Sequence, residues 1–306
     1  MRVAFLGNPA WAVPSLRAIR GSSHEVVAVL TGLPSRARRG AGTVPSPVAE
    51  AARELGLPLH ETGTVTSGAG LAVLRDCAPD ALAVVAYGEL LPRTVLDLPE
   101  IAPVNLHFSL LPMYRGAAPV QNALLDGLSS TGVTTMLMSE GLDEGDILLQ
   151  RSVAIDPDEN AGSLGARLAE VGSTLMVETL DALAGGPVVS VPQDPTSATL
   201  APKITDRRID WSAPAERIVN LARALGPFPG ASTLLRGDQL KVLVCGTTDG
   251  TGQPGEMLRV DPEGPVVAAG QGAVVLREVA PAGKKLMSGA DLCRGLRLRA
   301  GERFGA

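Results

Sequence analysis

Short, fully apolar runs alternating with amphipathic stretches make up the first part of the chain. Arg2–Leu6 is such a run, ended by Gly7-Asn8-Pro9; it predicts a strand, followed by a helix over Ala12–Arg20 and a second strand over Glu25–Thr31. The alternation continues with a helix over Pro47–Leu55, a strand over Ala81–Ala86, a short helix over Pro92–Leu96 and a strand over Ala102–Leu106. Strands apolar along their whole length and alternating with helices imply a mostly parallel sheet with helices on both faces, a Rossmann-like α/β arrangement. A helix over Pro119–Asp126 follows, then strands over Thr131–Met138 and Ile147–Val153 on either side of the acidic loop Ser139–Asp146. Ser163–Ala184 reads as one long helix with Ser163 as N-cap and Gly185-Gly186-Pro187 as its stop.

From Val188 to Pro202 the chain is rich in Pro, Ser and Thr without periodicity, which reads as a linker, placed over residues 188–206. Beyond it come a helix over Pro214–Leu225, a Gly/Pro break at Gly226–Gly230, and β-like runs at Ala231–Leu235, Gln239–Cys245, Gly255–Val260, Pro265–Ala268 and Ala273–Val279. Short strands separated by turns suggest a small barrel or sandwich of OB-like type. The expected organisation is an α/β domain over 1–187, a linker over 188–206 and a smaller β-barrel domain over 207–306.

Composition supports two cores. The length of 306 residues suits two domains, and 45% hydrophobic with 19% charged residues argues against disorder. No apolar run is long enough to cross a bilayer and the start turns to Gly and Pro too soon for a signal peptide, so a cytoplasmic location is expected. Three widely spaced cysteines, Cys77, Cys245 and Cys293, offer neither a disulfide framework nor zinc spacing and read as core or surface thiols. Charge adds one feature. Residues 203–306 carry 15 Lys+Arg and 11 Asp+Glu, net +4, and residues 1–202 carry 12 and 21, net −9, which together give the −5 of the whole chain. A basic C-terminal part suggests a polyanionic partner, although chance distribution over solvated faces gives the same count.

Ligands of open α/β sheets sit at the carboxyl ends of the strands, so polar residues after strands are the candidates for chemistry. Gly7-Asn8-Pro9-Ala10 is one, but it lacks the G-x-G-x-x-G of a dinucleotide site and suits a tight structural turn. Asn105 and His107 are the second. In extended chain they point to the same side and can converge on one atom, where an amide and an imidazole could stabilise a negative oxygen and carry a proton; the same pair could simply cap a strand end. The loop Glu140-Gly141-Leu142-Asp143-Glu144-Gly145-Asp146 is the third. Its spacing does not match a calcium loop and no metal is expected, while a carboxylate from it beside His107 would complete a proton relay.

The segment Asn105-Leu106-His107-Phe108-Ser109-Leu110-Leu111-Pro112-Met113-Tyr114-Arg115-Gly116-Ala117-Ala118-Pro119-Val120-Gln121, with Gly141-Leu142-Asp143-Glu144-Gly145-Asp146, resembles the formyltransferases that use 10-formyltetrahydrofolate. Val85-Ala86-Tyr87-Gly88 with Leu91-Pro92, Pro45-Ser46-Pro47-Val48, Ile209-Asp210-Trp211 and Pro281-Ala282-Gly283-Lys284-Lys285-Leu286-Met287 extend the similarity to nearly the whole chain. The last two motifs point to the branch of the family that acts on tRNA.

The resemblance implies that Asn105, His107 and Asp143 are the catalytic set and that the formyl group passes from N10 of the folate to the α-amine of methionyl-initiator tRNA. It implies a folate cleft lined by Ser109, Leu110, Leu111 and Pro112, by the backbone of Glu89, Leu90 and Leu91, and by the loop from Ser139. It also implies tRNA contacts from the loop 32–44 through Arg36, Arg38 and Arg39, with Lys203, Arg207, Arg208, Lys284 and Lys285 adding positive charge, and a monomer. Two positions depart from the family pattern: the loop 32–44 keeps its charge in a different register, and Ala10-Trp11 stands where an acidic residue and Phe are usual, a change expected to touch packing. The alternatives are a family member acting on a sugar amine or glycinamide ribonucleotide, and a tRNA-binding protein without catalysis.

Overall fold

The computed structural model describes residues 1–36 and 42–305. Contacts divide the chain into two compact units, one of residues 1–119, 130–154 and 165–201, the other of residues 120–129, 155–164 and 202–306.

The first unit is built on β1 (Arg2–Gly7), α1 (Val13–Gly21), β2 (Glu25–Gly32), the short antiparallel pair β3 (Ser35–Arg36) and β4 (Thr43–Val44), α2 (Pro47–Glu54), β5 (Leu59–Thr62), α3 (Gly68–Asp76), β6 (Ala81–Val85), α4 (Arg93–Leu96) and β7 (Ala102–His107). After α5 (Pro119–Leu125), which clusters from residue 120 on with the second unit, come β8 (Ser130–Leu137), β9 (Ile147–Ala154) and α6 (Ala161–Gly185), the last belonging to the first unit from Gly165. Seven strands form one sheet in the order β5-β2-β1-β6-β7-β8-β9, parallel up to β7 and antiparallel from β7 to β9. Helices cover both faces. Leu82 and Val84 of β6 join Ala4, Leu6, Ala28 and Leu30 in a core that includes Leu74 of α3 and Val95 and Leu96 of α4. Leu106 of β7, displaced by one position from Asn105 and so on the opposite face, lies against Gly172 of α6.

The long helix starts earlier than the pattern predicts. Asn160, not Ser163, caps it: Asn160 Oδ1 accepts from the backbone N–H of Gly162 and Ser163 at 2.9 and 3.1 Å, and Ser163 Oγ accepts in return from Asn160 N at 3.0 Å. The expected stop at Gly185 holds. Residues 188–201 run along the first unit: Val191 exchanges backbone hydrogen bonds with Ile147 and Arg115 with Thr199 and Ala201, and Pro195–Ser197 forms a 3₁₀ turn.

The second unit contains α7 (Ala215–Leu225), β10 (Ala231–Leu235), β11 (Asp238–Thr248), β12 (Met257–Asp261), β13 (Gly264–Ala268), β14 (Ala273–Pro281), β15 (Met287–Ser288) and α8 (Gly289–Leu296). Its antiparallel sheet has the order β10-β11-β14-β13-β12, with β15 on β14. Irregular register around Val244 curves β11. Residues 301–305 then bond to both edges: Phe304 N to Gly255 O and Met257 N to Glu302 O beside β12, and Gly305 N to Leu234 O on β10, each at 2.8 Å. The sheet closes through that segment into a barrel. Ile218, Ala222 and Leu225 of α7 complete the interior with Leu240, Val242, Val274 and Leu276. Trp211 packs edge-on against Phe304 at 5.9 Å and donates from Nε1 to Thr233 Oγ1 at 2.9 Å.

Candidate active site

The sheet reverses its winding at β1, with β2 on one side and β6 on the other, so the loops after β1, β6 and β7 border the crevice where open α/β sheets bind ligands. Asn8 ties this region together. Its Oδ1 accepts from Thr31 Oγ1 at 2.8 Å and Gly32 N at 2.7 Å, and its Nδ2 donates to the Tyr87 carbonyl. Thr31 Oγ1 in turn meets Ser46 Oγ, which caps α2 by accepting from Ala49 N. One amide thus joins the ends of β1, β2 and β6, and Gly7–Ala10 serves as a structural turn.

Asn105 and His107 end β7, and Asp143 reaches both from the acidic loop between β8 and β9. Asn105 Nδ2 donates to Asp143 Oδ1 at 3.4 Å, and His107 Nδ1 lies 3.6 Å from Asp143 Oδ2. His107 Nε2 faces the Tyr114 carbonyl at 2.9 Å; a carbonyl can only accept, so Nε2 carries the proton and the Nδ1 edge is the one turned to the carboxylate. Asp143 Oδ2 also accepts from Gly116 N at 2.8 Å. The three side chains are brought together with little water: His107 is 5% exposed and the Asp143 side chain 14%. Asn105 Nδ2 has two protons and one is engaged by Asp143, which leaves the other able to donate to an incoming oxygen.

The loop 109–113 is held from below. Ser109 Oγ donates to Met113 O at 2.6 Å, Thr134 Oγ1 donates to Ser109 O at 2.7 Å, and Gln150 Nε2 donates to Leu111 O at 2.8 Å. Leu111 is buried, Pro112 half-buried, and Leu110 lies over Gly132 of β8. Glu89 turns its carboxylate inward, accepting from Thr64 Oγ1 and from Val65 N at 3.2 Å. Burial, with Glu89 beside it, pushes the Tyr87 hydroxyl up to about 12. Leu91 belongs to the core beside Tyr87, whereas Leu90 is 65% exposed and Leu142, next to Asp143, 50%. Ser139 Oγ is buried with no partner among the described residues.

Arg36 is exposed on β3, while Arg38 and Arg39 lie outside the described residues. Lys203, Arg207, Lys284 and Lys285 are exposed; Arg208 is paired with Asp206 at 3.0 Å, an ion pair that lowers the Asp206 carboxyl to about 2. Among the described residues no group of three or more His, Cys, Asp or Glu could hold a metal, and no helix is long and apolar enough to cross a membrane. Cys245 and Cys293 are buried; burial raises the thiol of Cys245 to about 12 and raises those of Cys77 and Cys293 as well, the opposite of what a nucleophile needs. Trp11, at the departure from the family pattern, packs against Phe108 at 5.8 Å and across Gly165 of α6.

Residues 1–180 match the family model for formyl transferase and residues 203–297 that for the formyl transferase C-terminal domain. The chain belongs to the formyl transferase family. A relative in Heliobacterium modesticaldum, named methionyl-tRNA formyltransferase, is 45% identical over the full length of both chains. Among solved formyl transferase folds, HypX from Aquifex aeolicus in complex with tetrahydrofolic acid superposes with a TM-score of 0.65 at 19% identity, covering 96% of this chain and 47% of that one. An N-formyltransferase from Helicobacter canadensis, in complex with folinic acid and dTDP-3-aminofucose, gives a TM-score of 0.66 at 15% identity over 90% of this chain and 99% of that one. At such identities these two establish the shared fold alone.

Gln193 is the site residue that sequence reasoning missed. It lies in the stretch read as linker, and its amide bonds to the loop of Asp143 and to Arg115. Nothing in a lone Gln among Pro, Ser and Thr signals such a role.

Proposed function

We propose that this formyl transferase moves the formyl group of 10-formyltetrahydrofolate to the α-amine of methionyl-initiator tRNA, with Asn105, His107 and Asp143 as its catalytic set. The convergence of Asn105 and His107 on the two oxygens of Asp143 carries this reading, in a chain 45% identical from end to end to a methionyl-tRNA formyltransferase. End-to-end identity of 45% to that relative favours the tRNA substrate over a sugar amine or glycinamide ribonucleotide.

The folate supplies the formyl carbon. Leu90 and Leu142, left uncovered on neighbouring loops, and the orphaned Ser139 Oγ fit a flat, partly polar ring, with Ser109, Leu110, Leu111 and Pro112 and the backbone of Glu89, Leu90 and Leu91 forming the wall. As the methionyl amine attacks, negative charge grows on the formyl oxygen. The free proton of Asn105 Nδ2 faces that charge and stabilises it, and His107 adds to this when Nδ1 also carries a proton and the ring is a cation beside Asp143. The amine must lose a proton; Asp143 accepts it, directly or through a water, and it passes to the departing nitrogen. Gly116 N and Asn105 keep the carboxylate aimed while it does so.

The division of labour we infer is formyl transfer by residues 1–187, a connection over 188–206, and tRNA binding by residues 207–306 together with the loop 32–44. Arg36, Arg38, Arg39, Lys203, Arg207, Lys284 and Lys285 are the proposed phosphate contacts, and Arg208 a weaker one because Asp206 already pairs with it. A monomer acting in the cytoplasm, where charged tRNA is found, completes the reading.

The deciding assay is formylation of charged initiator tRNA with 10-formyltetrahydrofolate by the purified protein. His107→Ala and Asp143→Ala are each expected to lower kcat by about 10²-fold or more with fold intact. A wild-type protein that formylates a nucleotide sugar but not the tRNA would overturn the substrate; one that binds the tRNA and formylates nothing would overturn the activity.

A further inference from the structure

The Gln193 side chain makes four hydrogen bonds to nitrogen and oxygen partners, beside a weak fifth from Nε2 to Met136 Sδ at 3.9 Å. Its Nε2 donates to the carbonyls of Asp143 at 2.9 Å and Gly145 at 2.7 Å, and its Oε1 accepts from Arg115 Nε at 3.0 Å and Nη2 at 2.7 Å. The orientation of the amide is unambiguous, because a guanidinium can only donate and carbonyls can only accept. Half-buried, Gln193 therefore bridges the two loops that carry the polar face of the site, 114–116 and 143–145.

Asp143 needs such support. Its φ is +52°, a left-handed conformation that a side-chain-bearing residue adopts at a cost of about 1 kcal/mol or more unless its surroundings hold it there. Tyr114, whose carbonyl accepts a hydrogen bond from His107 Nε2, has φ +61°. The backbone of Arg115 is pinned to Thr199 O at 2.8 Å and to Ala201 N at 2.7 Å, and Ser190 Oγ donates to Asp146 Oδ2 at 2.9 Å. The segment from Ser190 to Ala201 thus borders both loops, with Gln193 as the side chain that joins them.

We propose that Gln193 is a positioning residue for Asp143, fixing the backbone of the acidic loop so that the carboxylate meets Asn105 and His107. The inference rests on the reading that Asp143 belongs to the catalytic set. Losing the two Nε2 bonds frees the Asp143–Gly145 backbone, and a displacement of about 1 Å at a reacting group can cost on the order of 10²-fold in rate.

The test compares Gln193→Ala, Gln193→Glu, Asp143→Ala and the double variant Gln193→Ala/Asp143→Ala in the full-length protein, with folding followed by circular dichroism. Gln193→Ala is expected to lower kcat about tenfold or more while the KM for each substrate stays within about threefold. Gln193→Glu keeps its partner Arg115 but sets a carboxylate against two carbonyls, so it should be as slow as the alanine variant; being nearly isosteric, it also serves if Gln193→Ala does not fold. Because the effect runs through Asp143, the double variant should be no slower than Asp143→Ala alone. A kcat within twofold of wild type in Gln193→Glu or Gln193→Ala, beside an impaired Asp143→Ala, would overturn the proposal alone, as would a double variant slowed by the product of the two factors. An Asp143→Ala protein as fast as wild type would instead overturn the catalytic reading beneath it.

Discussion

Asn105 and His107 could be paired from sequence because side chains two apart on a strand share a side, and the observed cluster has that form. Asp143 could not be picked out from Glu144 and Asp146 in that way. Its selection depends on a backbone turned to φ +52° and on the amide of Gly116, neither of which has a spacing rule. His24, a different kind of residue, gives a pH prediction. Burial lowers its pKa from the ordinary 6.5, with the N-terminal ammonium adding to the effect and Asp181 opposing it. The unfolded chain therefore takes up a proton at a higher pH than the folded one. The stability that depends on a neutral His24 is fully present above the unfolded value and is lost as the pH falls through it towards the lower folded value. Replacing His24 by Gln should flatten that acid limb: the difference in Tm between about pH 8 and about pH 5.5 should shrink relative to wild type, and an unchanged difference would dismiss His24 as its source.

Strands were the most legible elements because those of the sheet centre, such as β1 and β6, are apolar at nearly every position and lie buried between helices. The elements that escaped sequence reading share a weaker signal. β5, at the sheet edge, is only half-buried and reads Leu-His-Glu-Thr; α3 buries just Gly70 and Leu74 and begins with glycine. α8 also opens on glycine, although its cap was readable: Ser288 Oγ accepts from Asp291 N, three residues on. Two helical glycines separate packing from propensity. In α6 a Cβ at Gly165 would overlap the Trp11 ring, and in α8 nothing lies within 4 Å of a Cβ at Gly295. Gly165→Ala should lower stability by about 1–3 kcal/mol despite the better helix former, whereas Gly295→Ala should raise it by about 0.5–1 kcal/mol. Thermal melts of the two variants should move in opposite directions.

Across the whole molecule, charge is divided as −9 over residues 1–202 and +4 over residues 203–306, a division that spatial proximity does not follow, since residues 120–129 and 155–164 cluster with the C-terminal unit. Chain order showed two cores clearly, but a boundary drawn along the chain cannot express a unit made of three segments. Function at this scale has a salt signature. If a handful of basic side chains neutralise phosphates, raising salt from about 50 to about 200 mM should raise the KM for tRNA about 10²-fold or more through counterion release, while the KM for the folate changes little. A parallel rise for both substrates would argue against a phosphate-driven footprint.

The barrel of the second unit depends on residues 301–305, which supply hydrogen bonds to Leu234 on one edge strand and to Gly255 and Met257 beside the other. During synthesis these are the last of the described residues to leave the ribosome. Until they do, β10 and β12 present open edges to any neighbouring nascent chain, the condition under which sheets join edge to edge. Loss of residues 301–305 would leave every catalytic side chain intact and still yield a protein prone to aggregate.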